Sequence, residues 1–189
     1  MTEVATKPMR ADAKRNRDGL MAAALTVFTR DGAEAPLEAV AREAGVGIGT
    51  LYRHFPSREA LLEAVYRREN ERLCARAAEL LASEAPLDAL YAWTDAFIDY
   101  AATKRGLAAA LKSMIADRSE FFLESRTRMI NAADSLLAAV QEAGQIPEGM
   151  SAEDLIRGMG GICMQPSPDP EQARRLVRLM IDGMRYRAS

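Results

Sequence analysis

Residues 37–65 read LEAVAREAGVGIGTLYRHFPSREALLEAV, and the apolar rhythms inside that run decide the fold. Leu37, Val40, Ala41 and Ala44 recur at i, i+3, i+4 and i+7, the spacing that gathers side chains on one face of a helix. Pro36 suits the first helical turn and Gly45 the left-handed residue that ends one. After a turn of a few residues, Ile48, Leu51 and Phe55 resume at i, i+3 and i+7, until Pro56, which cannot continue a hydrogen-bonded helix. Ser57 then caps a further helix, with Glu59 in the first turn, where a carboxylate favours the positive helix end.

Two short helices joined by a tight glycine-containing turn make a helix-turn-helix, whose second helix enters the DNA major groove while the first crosses the backbone. On a helical wheel Leu51 and Phe55 point into a small core, leaving Gly49, Thr50, Arg53 and His54 on the far side and Tyr52 on the flank. Thr50 and Tyr52 offer hydroxyls and His54 a ring N–H to phosphate oxygens, contacts that fix register without reading sequence. Arg53 suits a phosphate or the O6/N7 edge of guanine. Gly49 lets the backbone approach closely. Ile48 suits a thymine methyl or burial at the helix start. A lone histidine is by default structural; beside Tyr52 and Arg53 on the outward face, His54 reads as facing a partner.

Working outward, Leu20, Ala24, Val27 and Phe28 place a first helix from Arg15 to the Asp31–Gly32 pair, so residues 15–58 form a three-helix unit. Residues 1–14 read as a basic arm: Lys7, Arg10 and Lys14, continued by Arg15 and Arg17, face only Glu3 and Asp12. A solvated tail and an arm that follows DNA are both open. Residues 59–189 read as a larger helical domain. Its helices run to about Leu81, over Asp88–Lys104, over Leu107–Ile115, from Ser119 to Gly144, from a Ser151/Asp154 capping pair, and from Asp169–Pro170 to the end. No stretch alternates with period two, so the fold class is all-α with about nine helices.

The 189 residues are 49% hydrophobic, enough for a real core, and carry a formal charge of −2, which excludes bulk electrostatic coating of nucleic acid or membrane. Residues 1–58 hold 9 Lys or Arg against 7 Asp or Glu, and the remainder 16 against 20, so positive charge leans toward the helix-turn-helix. Cys74 and Cys163 lack metal or disulfide spacing. No run approaches the roughly 20 apolar residues of a membrane span, and a cytoplasmic protein is expected. A single histidine leaves no second imidazole for a triad or metal site, and no phosphate loop occurs, so neither an enzyme nor a cofactor or metal is expected. Carboxylate-only catalysis and a ligand-independent DNA binder are the alternatives.

The same run, with GTLYRHF followed by SREAL, resembles the signature of the TetR family of bacterial transcriptional repressors; the likeness covers residues 15 to about 66. The resemblance implies DNA contacts from Ile48, Gly49, Thr50, Tyr52 and His54, a phosphate contact from Arg58, a DNA-facing Arg42, and an arm carrying Lys14, Arg15 and Arg17. Gly47 departs from the family, which often has Ser there, but glycine is an acceptable N-cap. The resemblance also implies a divergent second domain that dimerises and encloses a small-molecule cavity. Trp93, Phe97 and Tyr100 at i, i+4 and i+7, with Met114, Phe121, Phe122 and Met129, suit such a cavity or an ordinary core. Asp95, Asn131, Asp134 and Gln165 would supply polar contacts or face solvent. Leu155, Met159, Ile162 and Cys163 with Gly158, Gly160 and Gly161, and the stripe Leu176, Val177, Met180, Ile181 and Met184, suit a two-fold four-helix bundle or an intrachain core. The function expected is a homodimeric repressor, released from a palindromic double-stranded operator by a small-molecule effector the sequence does not identify.

Overall fold

In a computed structural model that describes residues 7–107, 119–164 and 169–185, eight α-helices follow one another and no strand occurs among the described residues. They are α1 (Lys7–Asp31), α2 (Leu37–Glu43), α3 (Ile48–His54), α4 (Arg58–Ser83), α5 (Pro86–Gly106), α6 (Ser119–Glu142), α7 (Ala152–Cys163) and α8 (Pro170–Met184). The expected helix over Leu107–Ile115 falls on residues outside those described beyond Leu107 itself. None of these helices is long and apolar enough to cross a membrane.

The described residues form two units: 7–67 with 106–107, and 68–105 with 119–164 and 169–185. The first turns of α4, which bury Leu61, Leu62, Val65 and Tyr66, go with the small unit.

In the small unit α1 buries Leu20, Ala24, Val27 and Phe28, and α2 buries Leu37, Val40 and Ala41. α1 stops where Gly32 takes φ +88°. α2 ends in a Schellman motif: Gly45 takes φ +68°, its N–H donates to Arg42 O at 3.1 Å, and Val46 N–H donates to Ala41 O at 2.9 Å. Two orphan carbonyls of a seven-residue helix are thereby satisfied and the chain reverses at once into Gly47, the N-cap of α3.

One boundary differs from the sequence reading. α1 begins at Lys7, so residues 7–14 of the expected arm are helical turns and not an extended strand of chain. Pro8 sits in the first turn, where its missing N–H costs nothing, and the residues after it contain no breaker before Gly19. Asp12 and Arg15 pair one turn apart.

In the larger unit α6 contributes Ala133, Leu136, Leu137 and Val140 to a core shared with Leu155, Ile156, Met159 and Cys163 of α7. α6 ends in a second left-handed glycine, Gly144 at φ +68°. Both capping expectations hold: Ser151 Oγ accepts from Asp154 N–H at 3.0 Å, and Asp169 accepts from Glu171 N–H at 3.0 Å with Pro170 in the first turn. α4 and α5 are tied by the fully buried Trp93, whose Nε1–H donates to Leu73 O at 2.9 Å.

Candidate nucleic-acid interface

α3 is a two-turn helix with one face inside and one outside. Leu51 and Phe55 are fully buried, while Gly47, Gly49, Tyr52 and Arg53 are exposed and Ile48, Thr50 and His54 half-buried. Tyr52 keeps 47% of its surface in solvent although the residue before it, Leu51, is fully buried. Leaving so large a ring uncovered is unfavourable for a monomer alone, and it sits beside an exposed guanidinium, Arg53. Arg42 on α2 and Lys14 and Arg15 on α1 are also exposed.

Two further basic residues make contacts within the unit, and one of them, Arg17, is itself exposed. Arg17 donates from Nη1 to His54 O at 3.1 Å, and its guanidinium lies 4.4 Å from the centroid of the Phe55 ring. Arg58, half-buried, donates from Nη1 to Ala33 O at 2.7 Å and Ala35 O at 2.8 Å, and lies 5.9 Å from the Phe28 ring centroid. These carbonyls lie far from either arginine in sequence, so no spacing rule announces them.

The larger unit holds a cleft of about 550 Å³ between α4 and α5, lined among others by Glu69, Arg72, Arg76, Asp99, Tyr100 and Thr103. Of the six residues expected around a small-molecule cavity, Tyr100 lines it. Trp93, Phe97 and Met129 are buried, with the Phe97 ring tilted against Trp93 at 6.0 Å and Tyr100 at 6.3 Å between ring centroids. Phe122 is half-buried 5.1 Å from Phe121. Met114 and Gln165 lie outside the described residues. Asp95 sits 3.9 Å from Arg174, and Asn131 and Asp134 are exposed.

The expected partner face is also redistributed. Leu155 and Met159 are buried within the single chain, at 2% and 0% exposure, and so are not available to a second copy. α7 packs on both α6 and α8, and the chain itself covers these two side chains. Ile162, Met180 and Met184 are half-buried, whereas Leu176 and Leu179 of α8 leave 42% and 66% of their surface uncovered. The three glycines of α7 also part company. A Cβ at Gly158 would sit 2.8 Å from Met180 Sδ, so that glycine serves α7–α8 packing, whereas among the described residues, their own helix backbone aside, nothing lies within 4 Å of a Cβ at Gly160 or Gly161.

Residues 20–65 match the profile of the bacterial regulatory proteins of the tetR family, and residues 85–186, over half the chain, match the C-terminal domain of SbtR-like transcriptional regulators. The chain belongs to the TetR family. The TetR transcriptional regulator SCO0520 of Streptomyces coelicolor is 46% identical and superposes with a TM-score of 0.81, over 91% of this chain and 99% of that one. A TetR transcription regulatory protein of Mycobacterium vanbaalenii is 32% identical with a TM-score of 0.75, over 95% and 100%. The HTH-type transcriptional regulator UidR of Escherichia coli K12 is 31% identical over 93 residues, which is 49% of this chain and 42% of UidR; the match thus spans less than half the length of that relative. TetR membership makes this chain a regulator and not an enzyme.

Proposed function

We propose that this TetR-family protein is a cytoplasmic, homodimeric repressor that binds a palindromic operator and is released from it by a small molecule. One observation carries the reading: a two-turn helix, fully buried along Leu51 and Phe55, leaves Tyr52 and Arg53 in solvent. Tyr52, Thr50 and His54 supply phosphate contacts that fix register, Arg53 reads a base edge or a phosphate, and Ile48 and Gly49 lie where the helix enters the groove. Gly47 starts that helix, and Lys14, Arg15 and Arg42 add charge to the backbone contacts.

A second copy docks through α7 and α8, with Ile162, Leu176, Met180 and Met184 of each chain, joined by Leu179, forming a four-helix bundle. Two reading helices then meet half-sites about 34–36 Å apart, one turn of duplex, or a multiple of it. The effector occupies the larger unit, where the cleft bordered by Tyr100 supports a site. α4 contributes residues to both units, and a ligand that favours one arrangement of α4 shifts DNA affinity by its difference in affinity for the two, typically about 1–3 kcal/mol.

The test is selection of duplexes from a random pool by the purified protein, then titration of candidate metabolites into the selected complex. Enrichment of a palindrome with two half-sites is expected. No preference over random competitor refutes the DNA reading; operator affinity unchanged by every metabolite that binds the protein refutes the switch.

A further inference from the structure

We infer, building on the DNA-binding reading above, that Arg17 and Arg58 are positioning residues that hold the reading helix in place from within the small unit, and not phosphate ligands. α3 has seven residues, whereas isolated helices shorter than about 12–15 residues are marginal in water, so tertiary contacts decide where it sits. Its start is capped by the backbone of Gly47 without a side-chain bond. Its end carries orphan carbonyls and the negative pole of the helix.

Arg17 answers both needs. One edge of its guanidinium donates to the carbonyl of His54, the last residue of α3, while its face lies 4.4 Å above the ring of Phe55, the C-cap. A planar fork makes the bond and the stack together; an ammonium makes at most one. Arg58 does the corresponding work at the other side of the unit. Nη1 carries two hydrogens, and the two carbonyls it meets, Ala33 and Ala35, flank Glu34 in the turn between α1 and α2. Both alanines are buried, so without Arg58 their carbonyls lose a charged donor where water has poor access. Arg17 therefore ties α1 to α3, and Arg58 ties the start of α4 to the α1–α2 turn. Each cation keeps its long-range attraction for DNA while one of its nitrogens, Nη1, is committed to carbonyls of the unit itself.

Arg17→Lys, Arg17→Gln, Arg58→Lys and Arg58→Gln test this on the full chain, with a duplex selected by the parent protein and with amide exchange of the free protein. Positioning predicts that Arg17→Lys weakens operator binding about five- to tenfold although charge is retained, the loss expected when an exposed stack goes and the hydrogen bond is weakened but not lost. It also predicts that Arg17→Gln leaves the salt slope nearly unchanged, and that both Arg17 variants speed exchange of the amides of residues 51–55 without DNA. Arg58→Lys lowers the melting midpoint of the free protein by several degrees. A phosphate role predicts the reverse: Arg17→Lys binds within about twofold of the parent, Arg17→Gln lowers the slope by about 0.9 per site, and exchange in α3 is unchanged. That outcome overturns the inference. If the parent prefers no duplex, the DNA reading fails by itself, and the exchange arm still decides whether the arginines hold α3.

Discussion

Leu179→Ala separates a shared two-helix face from an idle surface. Burying a whole leucine side chain is worth about 1.5–3 kcal/mol. Leu179 retains 66% of its surface in the single chain, so covering it by a second copy recovers about 1–2 kcal/mol. A two-fold interface uses each residue twice, so truncation at Leu179 removes about 2–4 kcal/mol from the dimer. At 1.4 kcal/mol per decade the dimer dissociation constant rises about 30- to 700-fold. Leu176, at 42% exposure, has less to recover, and Leu176→Ala gives a smaller rise. Folding of the protomer changes by no more than about 0.5 kcal/mol in either variant, because both side chains already face water there. Leu155→Ala behaves oppositely: it empties an intrachain core position and costs about 2–5 kcal/mol of folding. Sedimentation velocity over a dilution series gives the dissociation constant, and urea unfolding gives the protomer stability. A Leu179→Ala protein that dissociates at the parent's concentration refutes the α8 face, and so does a larger effect at Leu176 than at Leu179.

Tyr52→Phe and His54→Ala weaken binding to all duplexes about equally while the melting midpoint stays near that of the parent, read by titration at matched salt; unchanged affinity sinks the assignment of that face. Gly161→Ala meets nothing within 4 Å and stabilises the isolated protomer by about 1 kcal/mol through helix propensity, measured by urea unfolding at high dilution. Burial pushes the thiols of Cys74 and Cys163 above their ordinary range, so both stay protonated near pH 8 and alkylate slowly until the chain is unfolded. The linked stability is complete below the ordinary thiol value and is lost as pH rises through the raised one, which a pH series of unfolding free energies checks.

The small unit was legible because its instructions are local. The i, i+3, i+7 spacing of Leu51 and Phe55, the left-handed Gly45 and the break at Pro56 each act within one or two turns, and α2, the turn and α3 follow from them. The start of α1 was not, because a run of Lys and Arg is compatible with either a solvated tail or a helix, and only the missing breaker between Pro8 and Gly19 favours the latter. α7 and α8 show a different limit. Their apolar positions were visible, but α8 presents two apolar faces: Ala173, Val177 and Ile181 go inward, Leu176 and Leu179 outward. Which face its own chain takes depends on α6 and α7, far off in sequence. Leu179 has no signal of its own for that reason, and of the two readings open for Leu155 and Met159, a shared bundle or an intrachain core, their burial in the single chain takes the second. Among the described residues expected around a cavity, Tyr100 borders the cleft and the others do not, because aromatic spacing marks a stripe without saying whether a neighbouring helix fills it.

The basic residues of the small unit carry the same lesson into a measurable number. Charge is written in the sequence, but whether a cation is offered to DNA depends on which carbonyls and carboxylates the fold brings beside it. Of the 9 Lys and Arg in residues 1–58, Arg17 and Arg58 serve backbone carbonyls, and Arg30 is engaged by Asp31 at 2.8 Å and Glu43 at 3.8 Å. Lys14, Arg42 and Arg53 are exposed, and so is Arg15, which pairs with Asp12. With about three or four such cations per head and two heads, log affinity against log salt falls with a slope of about −5 to −7. If every basic residue met a phosphate, the slope would approach about −16. Anisotropy titrations of a selected palindrome across a salt series distinguish the two, and a slope near the steeper limit means that the inward hydrogen bonds of Arg17 and Arg58 are given up when the duplex arrives.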